Sequence, residues 1–494
     1  MYYIALDLGT TTIKGVLYDD KGKFIIQSFR SSKTFSEEVD FMEQDPEQIL
    51  KSAIEVIREL TLYAGEKEEE IGFISLSTYM HSIMAIDKFN NPMTRLYLWS
   101  DNRSKGYAKK YKDNNLGLEF YKLTGTPIHP MSPLYKLMWL RDNKPLIFNK
   151  AYKFVSLKGY FAYQIINEYI VDYSIASASG IFNIHEFKWD EKILQEIGIR
   201  EDRLEKPVET TKALTIKNKK FLEETGLSED TRFVIGASDG CLANLGSHGL
   251  NTGTAIVTIG TSGAVRVVEK KPIIDSKART FSYILADDLY VSGGALNNGG
   301  IVFEWLKKIF DKNLDLDKSL FDYKNFNNGL LFLPFLNGER APYWKPDLRG
   351  SYLGLNNSHD REDMVYSTIQ GLCFALKDVL DILQTEAKVT SIYANGGFTN
   401  SEFWVKKLAS ILNLDINVLN QGDGACFGAY LLGLKATGKI KTWDECDKYF
   451  DKSIIYKSEP NQMDEKMFNI YRESIKANIE IFEQLSKIQT ININ

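Results

Sequence analysis

Two stretches of this chain carry the same succession of apolar and polar positions. Near the start, Tyr3-Ile4-Ala5-Leu6 runs into Asp7-Leu8-Gly9-Thr10-Thr11-Thr12 and turns apolar again over 13–18. Short runs rich in β-branched and aromatic residues on either side of a glycine and hydroxyls predict a strand, a tight turn and a returning strand. About half a chain later, "AIVTIGTSGAVRVVEKKPII" repeats the pattern with Gly260-Thr261-Ser262 at the turn and Thr258 in the place of Asp7. A repeat at that distance predicts two similar domains. No low-complexity linker separates them, and the boundary is expected near 247–252, giving domains 1–248 and 249–494.

Elsewhere the period changes. "EIGFISLSTYMHSIMAID" is a near-continuous apolar run and predicts buried strands. "DPEQILKSAIEVIREL" has helical spacing, with Asp45 as cap and Pro46 at the first helical position. "ALNNGGIVFEWLKKIF" predicts a turn feeding a helix. "TSIYANGGFTNSEFWVKKLASILNL" and "INVLNQGDGACFGAYLLGLKATG" each predict a strand, a glycine turn and a helix, and a long amphipathic helix is expected over 464–489. Strands alternating with helices in both halves give an α/β class with partly parallel sheets.

The turn at 9–12 also has chemical content. Glycine lets backbone N–H groups approach a ligand, the hydroxyls add donors, and together they make a concave anion site of the kind that holds phosphate. A carboxylate beside it repels phosphate unless a divalent metal lies between them, since Mg²⁺ typically takes one or two carboxylates plus phosphate oxygens and water. The bland alternative is a turn shaped by Asp and Gly, with threonines filling strand positions.

Composition narrows the class. The chain has 494 residues, 44% hydrophobic and 25% charged, which fits a globular protein of about two large domains. A net charge of −5 argues against a nucleic-acid partner held on a broad basic face. No basic-apolar leader and no apolar run of about 18 residues stands out, so neither secretion nor a membrane span is expected. Cys241, Cys373, Cys426 and Cys446 lie far apart without a CxxC pair. Zinc ligation and a disulfide framework are not expected, and a reducing cytoplasm is.

Several stretches together resemble the FGGY carbohydrate kinase family, which belongs to the actin-like, Hsp70-like ATPase superfamily. "MSPLYKLMWLRDN" at 131–143 and "GSYLGLNNSHDREDMVYSTIQ" at 350–370 look like the family's two signatures. Gly338-Glu339-Arg340 with Pro342 looks like its Gly-Glu-Arg-x-Pro run. The resemblance implies two actin-like (ribonuclease H-like) domains flanking a deep nucleotide and sugar cleft. It also implies phosphoryl transfer from ATP, with Mg²⁺, to a hydroxyl of a polyol, ketose or sugar acid. The family's Gly-x-x-Asp segment matches "GASDG" and puts the catalytic carboxylate on Asp239, which could also cap the helix that follows. Gly9, Thr10, Thr11, Thr12 and Lys14 match the first phosphate turn, with Asp7 at the metal, and Gly260, Thr261 and Ser262 match the second. Gly300 falls at a nucleotide contact, while Gly396, Gly397 and Asn400 resemble the adenosine-binding turn. Glu304 stands where some members carry an amide, a departure that puts an adenine contact by it in doubt.

The acceptor is read from the first domain. Met80 and His81 resemble the Met-His pair of members acting on xylulose and gluconate, where glycerol-specific members carry Arg-Glu. Trp99, Asp101 and Arg103 look like a Trp-x-Asp-x-Arg run lining the same pocket, although the last two could equally be an ion pair. The stretches 156–184 and 293–300 look more like the gluconate members, with Asn297 and Asn298 offering amides to a polyhydroxy chain. A sugar acid also needs a cation for its carboxylate, and Lys158, Arg340 or Arg103 could supply it. The expected reaction is therefore D-gluconate to 6-phosphogluconate, with xylulose as the alternative acceptor. ATP is expected mostly on the second domain and the sugar near His81 and Trp99, with domain closure excluding water before Asp239 assists attack.

Two other classes share parts of this pattern. An actin-like or Hsp70-like ATPase has both hairpins, and a sugar-sensing regulator could have lost catalysis. The two signatures, the Asp239 segment and the presence of both Asp7 and Asp239 favour the kinase. The expected partners are ATP and a sugar acid or sugar, with no nucleic acid and no membrane, and a homodimer is left open.

Overall fold

The hairpin expected at the start of the chain is formed by the strands Tyr2–Leu8 and Thr12–Tyr18, paired antiparallel with Asp7 opposite Lys14. This computed structural model describes residues 1–320, 323–324, 328–419 and 424–491. They divide into two units. The first holds Met1–Leu250, Glu269–Val291 and 424–450, and the second holds Asn251–Val268 with the described residues of 292–419 and 451–491.

The first switch between units lies close to the expected boundary, but a division into halves does not hold, because 269–291 and 424–450 return to the first unit. The reason is visible in the helix Gly424–Ala436. It is apolar on nearly every side and so must be buried all round. Its Tyr430 ring lies 4.9 Å from Tyr18 and 5.9 Å from Tyr3, on the sheet of the first unit. The turn expected just before this helix, at 420–423, lies outside the described residues.

The first unit is built on six strands in the order Ala213–Thr215, Arg232–Ser238, Ile71–Thr78, Tyr2–Leu8, Thr12–Tyr18, Phe24–Ser31. Ile71–Thr78 is buried at seven of eight positions, which explains its unbroken apolar reading. The helix Pro46–Glu66 starts as its sequence requires, with the Asp45 carboxylate accepting the N–H groups of Glu47 and Gln48. A second apolar cluster in this unit gathers the helices Lys105–Lys112, Asn115–Thr124 and Pro133–Asn143 around Tyr111, Phe120 and Tyr135.

The second unit repeats the opening motif. Thr254–Ile259 and Gly263–Glu269 pair antiparallel, with Thr258 opposite Ala264. Ser391–Asn395 runs parallel to Thr254–Ile259, and Ile416–Val418 runs parallel to Ser391–Asn395. The expected helices follow as Gly300–Ile309, Glu402–Leu412 and Gln462–Ile491. Among the described residues no helix is long and apolar enough to cross a membrane.

Candidate active site

In the first unit the expected chemical groups gather at one edge of the sheet. Tyr2–Leu8 and Arg232–Ser238 both run parallel to Ile71–Thr78 and flank it. Asp7, Thr78 and the Ser238-Asp239 pair therefore share the carboxyl ends of three neighbouring strands, the edge at which open α/β sheets bind ligands. Asp7 accepts the Ser77 hydroxyl at 2.6 Å, which fixes its carboxylate beside the turn. The turn itself closes through the Gly9 N–H on the Thr12 carbonyl at 3.0 Å. Buried Gln44 donates to the Thr10 carbonyl at 2.6 Å and accepts the Tyr79 hydroxyl at 2.9 Å, so the tip is tied to the chain leaving the central strand. Thr11 is exposed, and Thr10, Thr12 and Lys14 are half-buried.

Asp239 is the first residue of the short helix Asp239–Leu245, and the cap is Ser238, whose hydroxyl accepts the Cys241 N–H. The capping role considered for Asp239 is thus corrected: its half-buried carboxylate instead accepts the N–H of Gly240 at 2.7 Å. Its charge reaches Tyr79, where burial first and Asp239 second hold the phenol well above its ordinary pKa.

His81 is buried and adopts φ +67, the left-handed region that a residue with a Cβ enters only when its surroundings enforce it. Its Nδ1 lies 2.7 Å from the Ala178 carbonyl. A carbonyl can only accept, so Nδ1 carries a proton. Met80 is half-buried, and Trp99 is 37% exposed.

Four of the expected substrate contacts are corrected. Asp101 and Arg103 are buried against each other at 2.8 Å; Arg103 also reaches Glu43 at 2.5 Å and stacks 3.7 Å from the Tyr97 ring and 3.8 Å from that of Phe41. Asp101 accepts the Met42 N–H at 2.7 Å as well. The pair braces the segment that carries Trp99, and the two side chains are almost wholly buried. Lys158 is fully buried, with Nζ on the carbonyls of Leu76, Ile235 and Ala237 at 3.0, 2.7 and 3.1 Å and on Asp172 at 3.3 Å. Burial lowers its pKa while Asp172 opposes the shift, and an ammonium with three N–H groups so engaged has none for a substrate carboxylate. Asn298 is buried too: its amide nitrogen donates to the Gly338 carbonyl at 2.7 Å and to Glu339 at 3.0 Å, and its oxygen accepts the Asn337 N–H.

In the second unit residues expected at the nucleotide come together. Gly260, Thr261, Gly300, Gly397 and Asn400 all line one cavity of about 590 Å³, together with Ile259, Phe303, Leu314, Leu316 and Trp404. The Gly300 N–H donates to the Gly260 carbonyl at 2.7 Å and that of Ile301 to Thr261 at 3.1 Å, so the helix Gly300–Ile309 begins on the turn. Ser262 closes the turn by accepting the Gly260 N–H at 2.9 Å. Gly396 has φ +106, a conformation suited to glycine, which swings Gly397 into the cavity wall. Glu304 also lines the cavity but leans to Lys307 at 2.9 Å. Asn297 is half-buried with its amide on the Asn337 carbonyl at 3.1 Å, and Arg340 donates to the Leu296 carbonyl at 2.8 Å.

The sequence reading passed over Gln44, Ser77 and Tyr79. Ser77 and Tyr79 sit inside an apolar run that reads as core, and nothing in the pattern separates Gln44 from the cap that follows it. Among the described residues no cluster of three or more His, Cys, Asp or Glu is placed to hold a metal ion. A Mg²⁺ that takes one carboxylate and completes its shell with phosphate and water needs no such cluster, and Asp7 beside the hydroxyl turn fits that demand.

Comparison with known proteins agrees with this arrangement. The N-terminal domain of the FGGY family of carbohydrate kinases matches residues 2–246, and its C-terminal domain matches 255–437. The chain belongs to the FGGY family of carbohydrate kinases. A gluconokinase of Bacillus subtilis is 40% identical over 458 residues, covering 90% of this chain and 89% of that protein. A xylulose kinase of Staphylococcus epidermidis is 28% identical, covering 98% and 97%. Among solved structures, a gluconate kinase from Lactobacillus acidophilus superposes with a TM-score of 0.93 at 31% identity, covering 98% of this chain and 99% of that one. A ligand-bound xylulose kinase from Lactobacillus acidophilus gives 0.94 at 31% with the same coverage. This FGGY chain is a sugar kinase of two α/β units, a phosphotransferase by membership, and its acceptor is the finer question.

Proposed function

We propose that this enzyme transfers the γ-phosphoryl group of ATP to D-gluconate, giving 6-phosphogluconate and ADP. The observation that carries the choice of acceptor is the 40% identity to a gluconokinase against 28% to a xylulose kinase, over most of each chain. ATP is read into the cavity of the second unit at Gly260, Thr261, Gly300, Gly397 and Asn400, and the sugar acid into the first unit at Met80, His81 and Trp99.

Asp239 takes the proton of the attacked hydroxyl as its oxygen bonds to the γ-phosphorus and the bond to the β-phosphate oxygen breaks. The hydroxyls and N–H groups of Gly9, Thr10, Thr11 and Thr12, with Lys14, receive phosphate oxygens. A Mg²⁺ at Asp7 would neutralise phosphate charge and orient the transferring group. Lys158 and Arg103 are withdrawn as cations for the substrate carboxylate.

Coupled ADP release against D-gluconate, D-xylulose, glycerol, L-ribulose and L-fuculose tests the reading. A kcat/KM for gluconate well above the others supports it. Preference for xylulose, which the equal structural likeness to a xylulose kinase keeps in view, preserves the mechanism and replaces the acceptor. ATP hydrolysis indifferent to every sugar would remove the acceptor site altogether.

A further inference from the structure

We propose that Lys136 is a positioning residue for the acceptor, fixing the His81 turn and the segment entering Trp99 in one relation to each other. The inference rests on reading His81 and Trp99 as acceptor residues. Lys136 lies on the helix Pro133–Asn143 and is wholly buried. Its ammonium donates to the carbonyls of His81 at 2.9 Å and Met131 at 2.8 Å, and to that of Leu98. Three N–H groups thus meet three carbonyls from three separate segments. Leu98 is the residue immediately before Trp99, and His81 is the residue held at φ +67.

A buried ammonium is costly unless every donor is satisfied, and an apolar side chain of similar length would fill the same volume without that cost. A packing role therefore does not explain a lysine here. Gathering carbonyls does: a methionine cannot hold the His81 peptide in a left-handed conformation or tie it to the strand end beside it. Asp101 favours the Lys136 ammonium and Arg103 opposes it, and the two are engaged with each other. The same bracing pair thus sits behind the lysine that holds the acceptor segments. Lys158 performs the matching task at the other strand ends, gathering Leu76, Ile235 and Ala237 ahead of Asp239.

The test is Lys136→Met in the full chain, assayed with whichever acceptor the panel above identifies, so that a wrong acceptor and a wrong role for Lys136 are told apart. The expected result is an acceptor KM raised about tenfold or more, with the ATP KM within about twofold and kcat largely kept. A folded variant with an unchanged acceptor KM overturns the proposal, as does one in which both KM values rise together. Should the variant not fold, the unmodified enzyme supplies the measurement. Burial pushes the Lys136 ammonium down to about 7, so at higher pH the neutral amine has only two N–H groups for three carbonyls. The acceptor KM is then expected to rise between about pH 6.5 and 8.5 while the ATP KM stays level, and a rise of both KM values together over that range refutes the assignment.

Discussion

The two phosphate hairpins look alike in sequence and are built for different ends. In the first, a Cβ on Gly9 would stand 2.7 Å from the Thr12 carbonyl, so glycine is required for the turn to close at all. In the second, a Cβ on Gly260 would meet no atom within 4 Å. Glycine there answers to what comes from outside, and the cavity it lines is the place where that happens. The strands differ in the same sense. The first ends in Asp7, fixed by Ser77; the second has Thr258 at the matching position, a buried hydroxyl without a hydrogen-bond partner. Both carboxylates of the proposed reaction, Asp7 and Asp239, therefore belong to the first unit, while the cavity proposed for the nucleotide belongs to the second.

That division predicts a graded series. Asp239→Asn removes the proton acceptor without touching the second unit, so kcat is expected to fall about 10³-fold with ATP affinity preserved by direct titration. Loss of ATP binding along with turnover would break the contrast. Asp7→Ala comes next, with kcat/KM for MgATP down about 10²-fold, whereas Thr258→Ala should stay within about threefold. Equal losses at the two positions would mean that the strand ends are equivalent.

The glycines give smaller and opposite signatures. Gly9→Ala forces its methyl into the Thr12 carbonyl, and both stability, by about 1–2 kcal/mol, and kcat/KM, by about tenfold, are expected to drop. Gly260→Ala should unfold at an unchanged temperature and raise only the ATP KM, by a few-fold, because the methyl occupies ligand space. A thermal shift in the second variant, or none in the first, reverses the reading of the two turns.

What was legible in the chain follows the same physics. Runs rich in β-branched and aromatic residues, turn glycines and the Asp45-Pro46 start specify elements locally, and those elements formed. The repeat of Gly-Thr-hydroxyl pointed to a second hairpin, and it formed around Gly260 to Ser262. Illegible was the state of the polar residues inside matched motifs. Arg103, Lys158 and Asn298 carry groups suited to a sugar acid, and all three are consumed by partners distant in sequence, Glu43, Asp172 and Glu339 among them. Spacing along the chain cannot reveal which donors are already taken. One signal was present: a lysine within an otherwise apolar helical stretch, as at Lys136 in "SPLYKLMWL", must have its charge met inside the core. The return of Gly424–Ala436 to the first unit was hidden for a related reason, since an all-apolar helix states that it is buried and not against what.

A buried carboxylate of the second unit adds a pH-dependent prediction to set beside the ammonium anchors of the first. The first uses ammonium groups to collect carbonyls. The second uses Glu339, which accepts the Asn298 amide at 3.0 Å, the Arg340 N–H at 2.9 Å and the Asn297 N–H. Burial pushes the Glu339 carboxyl up to about 7, with those donors acting against the shift. Since the folded value lies above that of the unfolded chain, the native state holds the extra proton between the two. Stability from this group is therefore fully present below about pH 4.5 and is lost as pH rises through about 7, by at most about 3 kcal/mol. Chemical denaturation of the parent and Glu339→Gln at about pH 5 and pH 8 isolates this group from every other titration. The variant is expected to gain on the parent as pH rises, because an amide has no charge to strand in the core. If the two stabilities run parallel across that range, Glu339 is ionised in the folded enzyme throughout, and its N–H donors outweigh its burial.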